Sequence, residues 1–210
     1  MLDVYAFATP NSVKVPIALE EMGLVYTLHG INIRKGEQKA PDFLARNSNG
    51  KVPVLVDSEA ESGPMVLTES AAILVYLAEK TGKLLPTHGI ARARVFEQLF
   101  FHASGLGPAF GNAGYFQKLA PEPIPHAIDR FKTEAKRVLS VLDHRLATSA
   151  YVAGESLSIA DIAHFGWLWR REFVGVDFSE TPNLARWYSA LEARPAFQRG
   201  ISQVNSLIPA

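Results

Sequence analysis

The sequence predicts an α/β domain over residues 1–83 followed by an all-α domain over residues 89–210. Three observations predict it. Runs rich in β-branched and aromatic residues are confined to the first third, at Leu2–Tyr5, Tyr26–Ile33, Val52–Val56 and Met65–Leu67. A stretch carrying Pro86 and Gly89 follows, and Lys83–Gly89 reads as a linker. Beyond it the strand signals vanish and apolar residues recur at helical spacing.

Within the first domain, Leu2–Tyr5 leads into a Thr9-Pro10-Asn11 turn. A helix should begin near Val13, because Pro16 is tolerated only in a first turn, and should end near Met22 with Gly23 as its stop. Tyr26–Ile33 makes a second strand, so strand, helix and strand form a βαβ unit with a right-handed crossover. A polar loop, Arg34–Pro41, precedes a short helix around Asp42–Arg46. Pro53–Asp57 and Met65–Leu67 form a hairpin across a Ser62-Gly63-Pro64 loop. After Glu69 comes a helix whose Ala71, Leu74, Val75 and Ala78 fall on one apolar face.

The second domain reads as helices at Ala91–Ala103 and Ala127–Leu146, a third starting at Ser158, and two more starting at Thr181-Pro182 and Arg194-Pro195. Asp161, three residues after Ser158, fits a capping box, which gives it a structural role. Gly105–Gly111 follows no strand, so it is a helix distorted at Pro108 rather than a dinucleotide loop.

Composition narrows the chemistry. Hydrophobic residues make up 48% and charged residues 20%, enough for a core with an ordinary soluble surface. Lys and Arg total 21 and so do Asp and Glu, a balance that argues against nucleic acid or an anionic membrane as partner. No apolar run approaches the roughly 20 residues that span a bilayer. The amino terminus carries Asp3 and reads as a strand, so the cytoplasm is the expected location. Six histidines show no metal-ligand spacing, and no metal is expected. There is no cysteine, so any thiol chemistry must use sulphur that arrives on the substrate.

One segment carries more than fold information. Val52 precedes a proline and is pushed toward extended geometry, which leaves its N–H and C=O open to pair with an extended peptide. Glu69 and Ser70 stand at a helix start, where free N–H groups and the dipole favour a carboxylate and Glu69 can meet an ammonium. Taken singly, Pro53 starts a strand and Ser70 caps a helix. Taken together at this spacing, they describe a receptor for a γ-glutamyl peptide.

Val52-Pro53 followed by Glu69-Ser70-Ala71-Ala72-Ile73-Leu74 resembles the glutathione site of the soluble glutathione transferases. The resemblance runs through Thr9-Pro10-Asn11 and Gln38 to Ser158-Ile159-Ala160-Asp161, nearly the whole chain. Thr9-Pro10-Asn11 and Gly105-Leu106-Gly107-Pro108 resemble the nu-like branch, whose members reduce disulfides with glutathione. The resemblance implies a thioredoxin-like amino-terminal domain on an all-α domain, a homodimer, and glutathione as co-substrate. It assigns the thiol to Thr9 and Asn11, the glycyl end to Gln38 with Lys51 adding charge, and the peptide edge to Val52 and Pro53. Glu69 and Ser70 then take the γ-glutamyl group, and Arg130 matches an arginine that reaches glutathione. Phe110, Tyr115 and Phe116 are candidates for a second-substrate pocket.

A free thiol ionises near pH 8.5, so only a few per cent is thiolate at neutrality. A hydroxyl, an amide or helix N–H groups aimed at sulphur lower that value. Tyr5 is the competing hydroxyl, and its place inside a strand reads as core. The expected activity is glutathione-dependent disulfide reduction. Conjugation of glutathione to small electrophiles, and a non-catalytic glutathione-binding module, are the alternatives.

Overall fold

The computed structural model describes residues 1–209. Its contacts divide the chain into two compact units: Met1–Leu84 together with the residues from Ala193 on, and Leu85–Glu192.

The first unit holds a four-stranded sheet in the order β2-β1-β3-β4, from strands β1 (Leu2–Ala6), β2 (Tyr26–Gly30), β3 (Val54–Asp57) and β4 (Met65–Leu67). β1 and β2 are parallel, with Val4 beside Leu28, while β3 runs antiparallel to both β1 and β4. Along β1 the alternation buries Leu2, Val4 and Ala6 and leaves Asp3 and Tyr5 half-exposed on the other face. Tyr5 is therefore not core: its ring stacks on His29 at 4.7 Å, and the Arg46 guanidinium lies 4.8 Å from its centroid. β2 stops at Gly30 rather than Ile33, and β3 starts at Val54, two residues later than the β-branched run suggests.

Helix α1 (Lys14–Met22) carries Pro16 in its first turn, where the missing N–H has no intrahelical partner to lose. It ends as expected: Gly23 is left-handed at φ 73°, and its N–H returns to Glu20. A single 3-10 turn (Glu37–Lys39) and the short α2 (Pro41–Leu44) lead to the loop before β3. Helix α3 (Ser70–Thr81) packs against α1 and ends at Gly82, also left-handed.

Helices α4 (Gly89–Phe101), α5 (Gly107–Lys118), α6 (Pro125–Leu146), α7 (Ile159–Leu168), α8 (Arg171–Val174) and α9 (Pro182–Glu192) build the second unit. The distortion expected at Pro108 lies just before it, in a π-helical turn at His102–Leu106, where the Gly107 N–H reaches back to the His102 carbonyl. The capping box at α7 is complete. Fully buried Asp161 accepts from the Ser158 and Val152 N–H groups and from Trp187 Nε1, each at 2.9 Å, and bonds the Ser158 hydroxyl at 3.0 Å. Burial pushes its carboxyl up in pKa against those donors.

The last helix, α10 (Pro195–Asn205), belongs to the first unit and not to the all-α part in which a single cut at the linker places it. Its buried residues Ala196, Phe197, Gly200 and Val204 include a glycine that lets it approach α1 closely. Arg194 clasps Glu21 through two nitrogens at 2.6 and 2.9 Å, and Arg199 meets Glu20 at 2.6 Å. No helix among the described residues is long and apolar enough to cross a membrane.

Candidate active site

The first unit brings Asn11 and Ser70 together through the first residue of α1. Thr9 and Asn11 lie in the turn after β1, both half-buried. The Thr9 hydroxyl is engaged by buried Ser12: it bonds Ser12 Oγ at 2.9 Å and accepts from the Ser12 N–H at 3.1 Å. Ser12 Oγ also accepts from the Phe7 N–H at 3.4 Å, so the turn is fixed by side chains at both ends. Asn11 points differently. Its Oδ1 accepts from Lys14 Nζ at 2.8 Å, and the same Nζ stands 3.3 Å from Ser70 Oγ.

Lys14 therefore links the candidate thiol residue Asn11 to the candidate γ-glutamyl residue Ser70, which lies 56 positions beyond the lysine. It is fully buried, and burial drags its pKa well below the ordinary lysine value while the charge of Glu69 pulls the other way. Neither Lys14 nor Ser12 was among the residues the sequence singled out. The available signal was a lysine inside the otherwise apolar run 13–19.

At α3 the geometry favours an anion. Glu69 is the residue before the first helical turn and is held at φ 64°, a conformation that side chains rarely adopt. Its side chain is exposed, whereas Ser70 is buried.

The segment before the candidate peptide edge is fixed by an asparagine. Buried Asn47 donates from Nδ2 to the Lys51 carbonyl at 2.7 Å and accepts from the Asn49 N–H at 3.0 Å, which fixes the approach to Val52. The Val52–Pro53 bond is cis, Pro53 is buried, and Lys51 is exposed. At Gly50, φ is 61°, and a Cβ there would stand 3.1 Å from the Gln38 carbonyl oxygen. Only glycine lets the Gln38 loop run beside the segment that leads to Lys51 and Val52. Gln38 Oε1 is buried and finds no partner among the described residues.

The second unit separates its candidates. Phe110 is wholly buried, edge-on to Trp167 with centroids 6.5 Å apart, so it offers no surface to a substrate and is corrected to core. Gly107 on the same helix admits the Trp167 ring, since a Cβ there would stand 3.2 Å from its Nε1. Tyr115 is exposed, and Phe116 stacks on Phe131 at 5.4 Å. Arg130 is exposed on α6 in a groove of about 340 Å³ with His126, Asp129, Phe131, Thr133 and Glu134. No cluster of His, Asp or Glu among the described residues could hold a metal ion.

Residues 8–80 match the glutathione S-transferase N-terminal domain, and residues 111–195 match the C-terminal domain of the same enzymes. The chain belongs to the glutathione S-transferase family. Its similarity to the disulfide-bond oxidoreductase YfcG of Escherichia coli is 42% identity over 200 residues, covering 93% of this chain and 92% of that protein. A glutathione transferase family member from Pseudomonas fluorescens, solved with two glutathione molecules bound, superposes with a TM-score of 0.90 at 38% identity, covering 95% of this chain and 92% of that one. One from Pseudomonas putida, solved with a glutathione disulfide bound per subunit, gives 0.89 at 37%, covering 95% and 90%. The family's amino-terminal match thus takes in Thr9, Asn11, Lys14, Gln38, Val52, Pro53, Glu69 and Ser70.

Proposed function

We propose that this glutathione transferase holds glutathione as a thiolate and uses it to reduce disulfide bonds. The observation that carries the reading is the joining of Asn11 and Ser70 through one buried lysine, which makes a thiol-stabilising group and an anion-binding helix start parts of a single site. The Asn11 amide and the free N–H groups near it supply the hydrogen bonds that favour thiolate over thiol. Ser70, the α3 amide groups and Glu69 take the γ-glutamyl carboxylate and ammonium. Val52 pairs with the peptide, while Gln38 and Lys51 face the glycyl carboxylate. Resemblance to the family also supports Arg130 as a guanidinium that binds a carboxylate.

The chemistry balances without a protein sulphur. Glutathione thiolate attacks one sulphur of a disulfide, the S–S bond breaks, and the departing thiolate takes a proton from water. A second glutathione, as thiolate, attacks the mixed disulfide at the glutathione sulphur, releasing the other thiol and leaving glutathione disulfide. Two glutathiones are oxidised and one disulfide is reduced. The absence of cysteine fits a mechanism in which the enzyme forms no covalent bond. Relatives solved with two glutathiones or with glutathione disulfide support this reading over conjugation. Resemblance to the family also supports a homodimer and a cytoplasmic location.

The test is turnover of a small dialkyl disulfide with glutathione, followed through recycling of glutathione disulfide, beside conjugation of an aryl halide. Disulfide turnover well above the uncatalysed rate is expected. Conjugation alone would move the protein to the second activity, and calorimetric binding without turnover of either substrate would make it a binding module.

A further inference from the structure

We propose that Lys14 is the positioning residue of the glutathione site: its Nζ, 2.8 Å from Asn11 Oδ1 and 3.3 Å from Ser70 Oγ, turns both side chains outward as hydrogen-bond donors. The inference rests on the glutathione reading above. Nζ is the donor to both oxygens, and it has hydrogens enough for the two bonds as ammonium or as neutral amine. The Asn11 amide is two-sided, an acceptor at oxygen and a donor at nitrogen. With its oxygen held by Nζ, its NH2 group must face the other way, and a thiolate accepts hydrogen bonds only. The reversed amide would set NH2 against the ammonium and oxygen against the sulphur, so it loses on both sides. At Ser70 the logic repeats: Nζ occupies a lone pair of Oγ, which leaves the hydroxyl hydrogen to be donated to a carboxylate.

Lys14 is expensive to keep where it is. It is the first residue of α1, and a cation there opposes the positive end of the helix dipole. It is also wholly inside the protein. An unbranched apolar side chain such as methionine fills similar space without the cost of burying an amine. The ammonium's immediate polar neighbours include the two groups assigned to the thiolate and the α-carboxylate, and Glu69 is the charge that acts on it. Removing the lysine leaves Asn11 free to flip and Ser70 free to donate inward.

Lys14→Met tests this in the full-length protein, with glutathione itself as probe. First, calorimetric titration of the unaltered protein establishes binding; no binding there overturns the glutathione reading, and this inference with it. Given binding, the thiolate absorbance of bound glutathione is titrated against pH in the unaltered protein, Lys14→Met, Asn11→Ala and the double variant. The expected result is an unchanged or raised melting temperature for Lys14→Met, affinity weakened at least tenfold, and a bound-thiol titration moved to higher pH. Asn11→Ala should add almost nothing once Lys14 is gone, because the amide is already misdirected. Lys14→Arg, which keeps donors, should restore part of the shift. A Lys14→Met protein that does not fold, or that folds and titrates its bound thiol as the unaltered protein does, overturns the proposal.

Discussion

Gly200 and Ile17 meet main chain to main chain: a Cβ built on Gly200 would stand 2.7 Å from the Ile17 nitrogen and 2.9 Å from its Cα. Helix α10 therefore lies on α1 at a separation only hydrogen allows. In a free helix, Gly→Ala is favourable by roughly 1 kcal/mol. Here the added carbon meets backbone, which cannot rotate away, and overpacking of that kind typically costs about 1–3 kcal/mol. Gly200→Ala is thus expected to lower the urea midpoint at constant slope. A raised midpoint would mean that α10 shifts freely and helix propensity wins.

Glu69 gives a prediction in which stability and binding move in opposite directions. Its φ of 64° is strained for a glutamate, at a cost on the order of 1–3 kcal/mol. Glycine relieves that strain, although its freer unfolded chain takes back about 0.4–1 kcal/mol. Glu69→Gly should melt at the same temperature or higher while binding glutathione more weakly. Ser70→Ala should weaken binding as well, since a hydrogen bond to a charged group is worth about 1.5–3 kcal/mol. Calorimetry and thermal melts on the same preparations separate the two effects.

Thr9 and Asn11 are expected to contribute unequally to the thiolate. Thr9 shares its hydroxyl with Ser12, while the Asn11 amide nitrogen is left facing out by the bond at its oxygen. The double alanine variant should move the bound-thiol titration upward, with Asn11→Ala accounting for most of the movement. The loss should fall on kcat more than on KM, because the reacting anion rather than the whole peptide loses its partners. Tyr5→Phe is the control. Its ring is stacked on His29 on the half-exposed face of β1, and neither measurement should change.

Asp57 ties β3 to α3 and makes the first unit sensitive to acid. It is buried and accepts from the Tyr76 hydroxyl at 2.6 Å, Lys80 Nζ at 2.9 Å and the Glu59 N–H at 2.9 Å. Burial pushes its carboxyl up, but the Tyr76, Lys80 and Glu59 donors outweigh that and hold the pKa below the ordinary 3.8. The sign follows directly: a depressed folded pKa gives stability that is complete above the unfolded value and is lost as pH falls through the folded one. Stability should therefore decline below about pH 4. Asp57→Asn should be less stable at neutral pH and should lose less on acidification, as chemical denaturation at several pH values would show.

The elements written most clearly in the sequence were those with local punctuation. Gly23 and Gly82 stop helices, Pro182 and Pro195 start them, and Ser158 with Asp161 announces α7, each through chemistry contained within a few residues. What a sequence pattern does not contain is the partner of a face. Periodicity makes α10 amphipathic but does not say that α1, rather than the other helices, covers it; Gly200 inside that helix was the only local hint. Phe110 misled for the same reason, because it is buried against Trp167, which comes from a distant helix. The site was legible where motif residues touch ligand directly. Lys14 was not, because its role exists only once Ser70 is brought to it from 56 positions away.

The pairing of α10 with α1 also sets an order on synthesis. Glu20 waits for an arginine 179 positions downstream, and Glu21 for one 173 positions downstream. Until the final helix leaves the ribosome, the Ile17 surface that Gly200 will cover faces water, although the strands and the second unit have already been made. A nascent chain halted before residue 193 would carry every residue proposed here to bind glutathione and still expose an apolar seam along α1. Such a fragment is expected to resist proteolysis less well than a chain in which α10 covers that seam.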